Sequence, residues 1–291
     1  MRTELTCLPC FTGQIERTLA YAGVNGSTGL RIRRKAERIL ERSSLDQAPA
    51  RISTEIHRMI REETGIDPYL QVKESYNRIA LDRLPALRKM AEEAVSPRTG
   101  RTDLLEGCVR LAIAGNVIDF GIYDRIDLDR SIEESFALPL SPDAYDAFAD
   151  AVHKAGFVLY LCDNAGEIVF DRVLIETLQA MGRSVTAAVK GVPVINDATR
   201  SDAEAAGLTG SLLRVIDNGN DGIGTLLELC SPGFMEAYRS ADLIISKGQA
   251  NYETLAEERD TRIFFLFKVK CPVVAGSLNR PEGDIVLMTN R

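Results

Sequence analysis

The chain has 291 residues, 45% of them hydrophobic, which is enough for one large domain or two modest ones with a sizeable core. A formal charge of -7 argues against a nucleic-acid partner but not against an anionic small substrate, since local positive sites can sit on an acidic protein. No window approaches the roughly 18 apolar residues of a membrane span. The opening MRTELTCLPCFTG has no apolar core of signal-peptide length, so a soluble, cytoplasmic protein without a membrane partner is expected.

In chain order, residues 1–105 read as helical and charged. RIRRKAERILERSS, RISTEIHRMIREET and QVKESYNRIALDRLPALRKMAEEA all carry apolar residues at helical spacing, with the arginines of the first forming a solvated face. The stretch 106–155 packs between this helical part and the sheet. Within it SPDAYDAFADAVHKAG predicts a helix with Ser141 as N-cap and Pro142 at the first helical position. From about residue 155 short apolar runs alternate with helical ones. FVLYLCD, SVTAAVK, LLRVIDN, ADLIISK, RIFFLFKVK and DIVLMTN are buried-strand patterns, and IVFDRVLIETLQAMG, SDAEAAG and NYETLAEER separate several of them. The expected architecture is α/β: a three-layer α/β/α domain over 106–291 with a mostly parallel sheet, and a helical N-terminal subdomain over 1–105.

Sites in such sheets form at the carboxyl ends of strands. Asp163 and Asn164 stand there in LYLCDNAGEIVFD, followed by Gly166 for a tight turn and Glu167 at the start of a helix, whose N-terminus favours anions. Asp163 could equally be a helix cap, and so could Asp197 with Asn196 beside it in GVPVINDATR. ADLIISK leads into GQANYETL, a second glycine turn before a helix. Lys268 lies near the end of RIFFLFKVK, either facing a site or snorkelling from an edge strand. Taken together, hard oxygen donors beside phosphate-friendly turns suit Mg²⁺ or Mn²⁺.

The segments AGNVIDFG at 114–121, LCDNAGEIVFD at 161–171, the Asp of VINDA, SKGQANYETL at 246–255 and the Lys of FLFKVKC resemble, in order and spacing, the damage-control metal-phosphatase family with its ARMT-like domain. CLPC and DPYLQVKESYNRIAL further resemble the family's microbial branch with an N-terminal Cys-x-x-Cys. The resemblance implies a divalent metal, Mg or Mn with Co or Ni as alternatives, held by Asp163, Asn164 and Asp197. It implies phosphate contacts from the loop Gly248, Gln249, Ala250, Asn251 and Tyr252 and from Lys268, with Asn116 and Asp119 in or near the pocket and Glu167 among the substrate contacts. Gln249 departs from relatives that carry an acidic residue there, which bears on substrate class. The implied activity is hydrolysis of small phosphorylated metabolites, such as sugar phosphates or damaged cofactor precursors. Asp163, Asp197 and Lys268 would be the catalytic groups. Asp163 or Asp197 would take the proton of the attacking water; an aspartyl-phosphate route is the less favoured alternative, because Asn164 and Ala165 follow Asp163 where aspartate-nucleophile phosphatases usually show an Asp-x-Asp pair. A carboxyl methyltransferase and a non-catalytic metal- or phosphometabolite-binding module are the alternatives.

Other signals are weaker. Six cysteines in a chain this size are no disulfide framework. Cys7 and Cys10 make a lone CxxC, joined by Cys271 in a second metal site only if the N-terminus folds back over the sheet. Cys108, Cys162 and Cys230 read as core. His57 and His153 read as surface residues, and two histidines argue against a His-based triad or a zinc protease. GNDGIG at 219–224 fits no nucleotide loop and reads as a turn lining the pocket, with Asp217 and Asn218 as outer groups.

Overall fold

In the computed structural model, residues 1–96, 99–117, 128–208 and 213–290 are described. Six strands form one sheet: β1 (Phe157–Leu161), β2 (Ser184–Val189), β3 (Leu213–Asp217), β4 (Leu243–Lys247), β5 (Ile263–Lys268) and β6 (Ile285–Thr289). Their order is β3-β2-β1-β4-β5-β6, parallel throughout except for β6, which runs antiparallel to β5. All six lie within the apolar runs of the sequence. β6 returns beside β5 after α12 (Pro272–Leu278), and pairs Phe264 with Thr289 and Lys268 with Ile285.

One face of the sheet packs against α4 (Leu70–Glu92), α5 (Leu104–Ala114), α7 (Pro142–Lys154), α8 (Glu167–Ala180) and α9 (Arg200–Ala205). Leu87, Ile113, Phe148, Phe170 and Ala203 share a core there with Val158, Tyr160 and Leu266 of the strands. On the other face α10 (Pro232–Ser240), α11 (Gln249–Leu255) and α12 cover Leu159, Ile244 and Phe265 with Phe234, Leu255 and Val274. Strand alternation sorts these residues, because successive side chains point to opposite faces. Ser141 caps α7 by accepting from Ala144 N, with Pro142 at the first position.

Three N-terminal helices, α1 (Leu8–Tyr21), α2 (Gly26–Arg42) and α3 (Pro49–Thr64), build a separate core of Phe11, Leu19, Ile32, Ile56 and Ile60. The remaining long N-terminal helix, α4, belongs instead to the core of the sheet. His57 of α3 is no surface residue. It is buried between Thr18 and Gln14, and burial lowers it to about 3, so it is neutral at physiological pH. The charged neighbours that suggested exposure lie one residue away on the next face of the helix.

α3 lies across the loops at the carboxyl end of the sheet. Thr54 Oγ1 accepts from Ile223 N at 2.9 Å, Ala50 N donates to Glu253 Oε2 at 3.2 Å, and Arg61 Nη1 donates to Pro193 O at 2.7 Å. Arg58 and Arg61 both engage Asp221, with Arg58 Nε to Oδ2 at 2.9 Å and Arg61 Nη2 to Oδ2 at 2.6 Å. Burial works against the charge of Asp221, yet the two guanidinium groups hold its carboxyl down at about 2. A carboxyl lowered on folding stabilises above the ordinary carboxylate range and ceases to do so as pH falls toward its folded value. Asp221→Asn is therefore expected to lose about 1–2 kcal/mol at pH 7. Urea unfolding should show the gap from wild type closing as pH falls from about 4 toward 2; a gap independent of pH would assign the loss to packing.

Candidate active site

The turns after β1, β2 and β4 meet at the carboxyl edge of the sheet, where α1 and α3 close a cavity of about 310 Å³. Asn116, Asp163, Asn164, Asp197, Gln249 and Lys270 supply its polar side, and Phe11, Ile195, Ile223, Ala250 and Val273 are among its apolar walls.

Neither aspartate is a helix cap. Gly166, at φ 77°, begins α8 with no side-chain cap, and α9 is capped by Thr199 with Asp202 in a reciprocal box. The turns carrying the two acids bind each other: Ala165 N donates to Asn196 O at 2.9 Å and Ala198 N to Asp163 O at 2.8 Å, around an antiparallel bridge between Asn164 and Asp197. The carboxylates are thus held side by side and nearly out of water, at 7% exposure for Asp163 and 1% for Asp197. The first turn of α8 is not an open anion site. The amides of Ala165, Gly166, Ile168 and Val169 already donate within the protein.

Asp163 Oδ2 accepts from Asn116 Nδ2 at 3.2 Å and Asn164 Nδ2 at 2.8 Å. The same two amides reach Glu167 Oε2, at 2.8 and 3.3 Å. Glu167 is fully buried behind them and is absent from the cavity lining, so it orients the amides rather than touching a substrate. Its other oxygen accepts from Lys247 Nζ at 2.6 Å. That ammonium, also fully buried, donates as well to Asp171 Oδ1 at 2.6 Å and Ala112 O at 2.8 Å. Burial works against the charge of Lys247, but Asp171 and Glu167 beside it raise it above the ordinary range.

Burial, with Glu167 and Asp197 adding repulsion, pushes Asp163 well above the usual carboxylate range. Burial raises Asp197 too, against the pull of Lys190, whose Nζ lies 3.3 Å from Asp197 Oδ2 without hydrogen-bond alignment. Among the described residues Asn116 Oδ1 is buried without a partner. Two mutually repelling carboxylates, an orphaned amide oxygen and the amide of Asn164 are a hard-oxygen donor set that fits a small divalent cation. Among the described residues no three His, Cys, Asp or Glu side chains form a ligand group, so such a cation would share its shell with amides and water. Cys7, Cys10 and Cys271 do come to the cavity, but they form no such group either.

The remaining expected contacts divide. Gly248, at φ 78°, has no room for a side chain, because a Cβ there would overlap the Asp163 carboxylate. Gln249 and Ala250 line the cavity. Asn251 does not; it bonds Lys247 O at 2.7 Å and Thr225 Oγ1 at 2.8 Å. Tyr252 packs on Phe265 and Phe267 with ring centroids 5.2 Å away in both cases. Lys268 also misses the cavity. Strand alternation places it on the face of Phe264 and Leu266, where Nζ donates to Ser135 Oγ at 2.9 Å. The lysine that lines the cavity is Lys270, beyond the end of β5 and outside that alternation. Asp119 lies outside the described residues. Asp217 pairs with Arg200 at 3.1 Å, away from the cavity, whereas Ile223 of the same glycine-rich loop lines it. Lys190 and Lys247 each end an apolar strand run with a lysine, the signal by which Lys268 stands out in the sequence.

Residues 3–286 match the family described as damage-control phosphatase ARMT1-like domain. The chain is 36% identical to a damage-control phosphatase of Pyrococcus horikoshii, with 100% of this chain and 99% of the relative covered. It is 33% identical to a damage-control phosphatase of Archaeoglobus fulgidus, with 81% of each covered. The crystal structure of a DUF89 family protein from Pyrococcus horikoshii superposes with a TM-score of 0.86 at 35% identity over 100% of both chains.

Lys247→Met should destabilise the protein by about 3–5 kcal/mol, because it strands Glu167 and Asp171 as buried, unpaired acids. Denaturant unfolding at pH 7 checks this; a loss under about 1 kcal/mol would mean that the pair is readily hydrated.

Proposed function

This chain belongs to the damage-control phosphatase family with the ARMT1-like domain, and we propose that it is a divalent-metal-dependent phosphatase acting on small phosphomonoesters, such as sugar phosphates or damaged phosphometabolites. The observation that carries the reading is the buried pair Asp163 and Asp197, neither of them a cap, set beside the amide oxygen of Asn116, which has no partner among the described residues.

Asp163, Asn164 and Asp197 would hold the cation, with Mg²⁺ or Mn²⁺ suited to their oxygen donors. When bound, it supplies Lewis-acid polarisation of a phosphoryl oxygen. Lys270 would offset negative charge on the other phosphoryl oxygens as it builds toward the transition state. One acid of the pair, Asp163 or Asp197, would take the proton of the attacking water. Asn116 and Asn164 hold Asp163 Oδ2 in place through their amide donors. The walls formed by Phe11, Ile195, Ile223 and Val273 exclude bulk water and suit a compact organic group, and the volume of the cavity matches a small metabolite. The alternative of a carboxyl methyltransferase gains no support from the turn after β1, where the amides of Ala165, Gly166, Ile168 and Val169 are already bonded.

Metal-stripped protein should regain turnover of p-nitrophenyl phosphate when Mg²⁺, Mn²⁺, Co²⁺ or Ni²⁺ is added. Asp163→Asn is expected to reduce that turnover about a hundredfold or more. No cation-dependent turnover, or a variant within about tenfold of wild type, would overturn the reading. Lys270→Gln should lower kcat/KM by about tenfold or more, and Lys268→Gln by less than about threefold. The reverse order would return the phosphate contact to Lys268.

A further inference from the structure

The two acidic turns share one anchor outside the cavity. Asn77, on α4, is 3% exposed and is not among the cavity-lining residues. Its Oδ1 accepts from Gly166 N at 2.7 Å, and its Nδ2 donates to Asp202 Oδ1 at 2.8 Å. The partners fix the orientation of the amide, since a backbone N–H only donates and an ionised carboxylate only accepts. Asp202 Oδ2 accepts from Thr199 N at 2.9 Å and Thr199 Oγ1 at 2.6 Å, which closes the cap of α9 two residues beyond Asp197. Lys73, one turn earlier on α4, lies 3.7 Å from the same oxygen and pairs with Asp67 at 2.8 Å.

One side chain therefore spans from the turn of Asp163 and Asn164 to the turn of Asp197. Both of its polar atoms are used, and each is committed to a group near one of the acids in the chain. Small divalent cations tolerate little error in ligand separation, and groups one shell out set that separation. We propose that Asn77, acting with Asp202, is a positioning residue that sets the distance between Asp163 and Asp197 for cation binding. This inference rests on the function proposed above.

The test exchanges the bond's polarity on the full chain. In Asn77→Asp two carboxylates face each other. In Asp202→Asn one amide donor meets another. In the double variant the carboxylate now at position 77 accepts from Gly166 N and from the new amide at position 202, whose oxygen still accepts from Thr199, and the net charge is that of wild type. Mn²⁺ titration calorimetry on metal-stripped protein, with a thermal melt of each variant, reads the result. Each single variant should bind Mn²⁺ about tenfold or more weakly, and the double variant should return to within about threefold of wild type. With p-nitrophenyl phosphate, the Mn²⁺ concentration for half activity should rise more than kcat falls. Folded single variants with wild-type affinity, or a double variant no tighter than the singles, would overturn the proposal alone. Wild-type protein that does not bind Mn²⁺ would overturn it together with the proposed function. If a single variant does not fold, Asn77→Ser, which keeps a small acceptor and lacks the amide donor, must show the same weakening for the proposal to stand.

Discussion

The Lys247 ammonium holds the site in shape. It sits at zero exposure among Glu167, Asp171 and the carbonyl of Ala112, and Tyr160 OH adds a bond to Asp171 at 2.7 Å. A charge so buried is tolerable only with close partners of opposite sign. Its three donors match the three acceptors around it. Because Glu167 is fixed by the lysine, its second oxygen can fix Asn116 and Asn164, and those amides fix Asp163. Order passes outward from one buried lysine through one carboxylate and two amides to the group that faces the cavity.

The fold brings these groups together because the strand order reverses its direction of growth at β1. β2 and β3 are added on one side of it and β4 and β5 on the other. The loops leaving β1 and β4 therefore diverge and open a crevice, as open parallel sheets do at such a point. Asp163 leaves β1 and Gly248 leaves β4, and they touch so closely there that only glycine fits. The N-terminal helices cap the crevice, with α3 pinned by Asp221, Ile223 and Glu253.

The strands were legible in the sequence because a doubly covered parallel strand is a continuous apolar run, and all six such runs lie in the sheet. Asp163, Asn164 and Asp197 stood out as hard donors at strand ends, and the structure brings all three to one cavity. What failed to show was whatever depends on the partner across a gap. Lys268 and Lys270 differ by two positions, and only the place where β5 stops decides which enters the cavity. His57 looked charged and exposed because its sequence neighbours are, although its own helical face is buried. Asn251 and Tyr252 belong to a motif whose other members reach the cavity, yet helical geometry turns these two into the protein. Asn77 left a faint trace, a polar residue four positions after buried Lys73 on the apolar stripe of Tyr76 and Ala80. A polar pair on such a stripe shows that something binds it without showing what.

The strand order also bears on when the crevice can exist during folding. β1 and β4 pair Val158 with Leu243, and Asp242 accepts from Gly156 N and Phe157 N at the start of β1, 86 and 85 residues away. Contacts so distant along the chain close late, after the loop entropy between them has been overcome. A partly folded chain in which β1, β2 and β3 have already paired would hold Asp163 and Asp197 without the wall from Gly248 onward. Its acids would remain open to water on that side until the far half of the sheet arrives, because Gln249, Ala250, Lys270 and Cys271 of that half line the crevice.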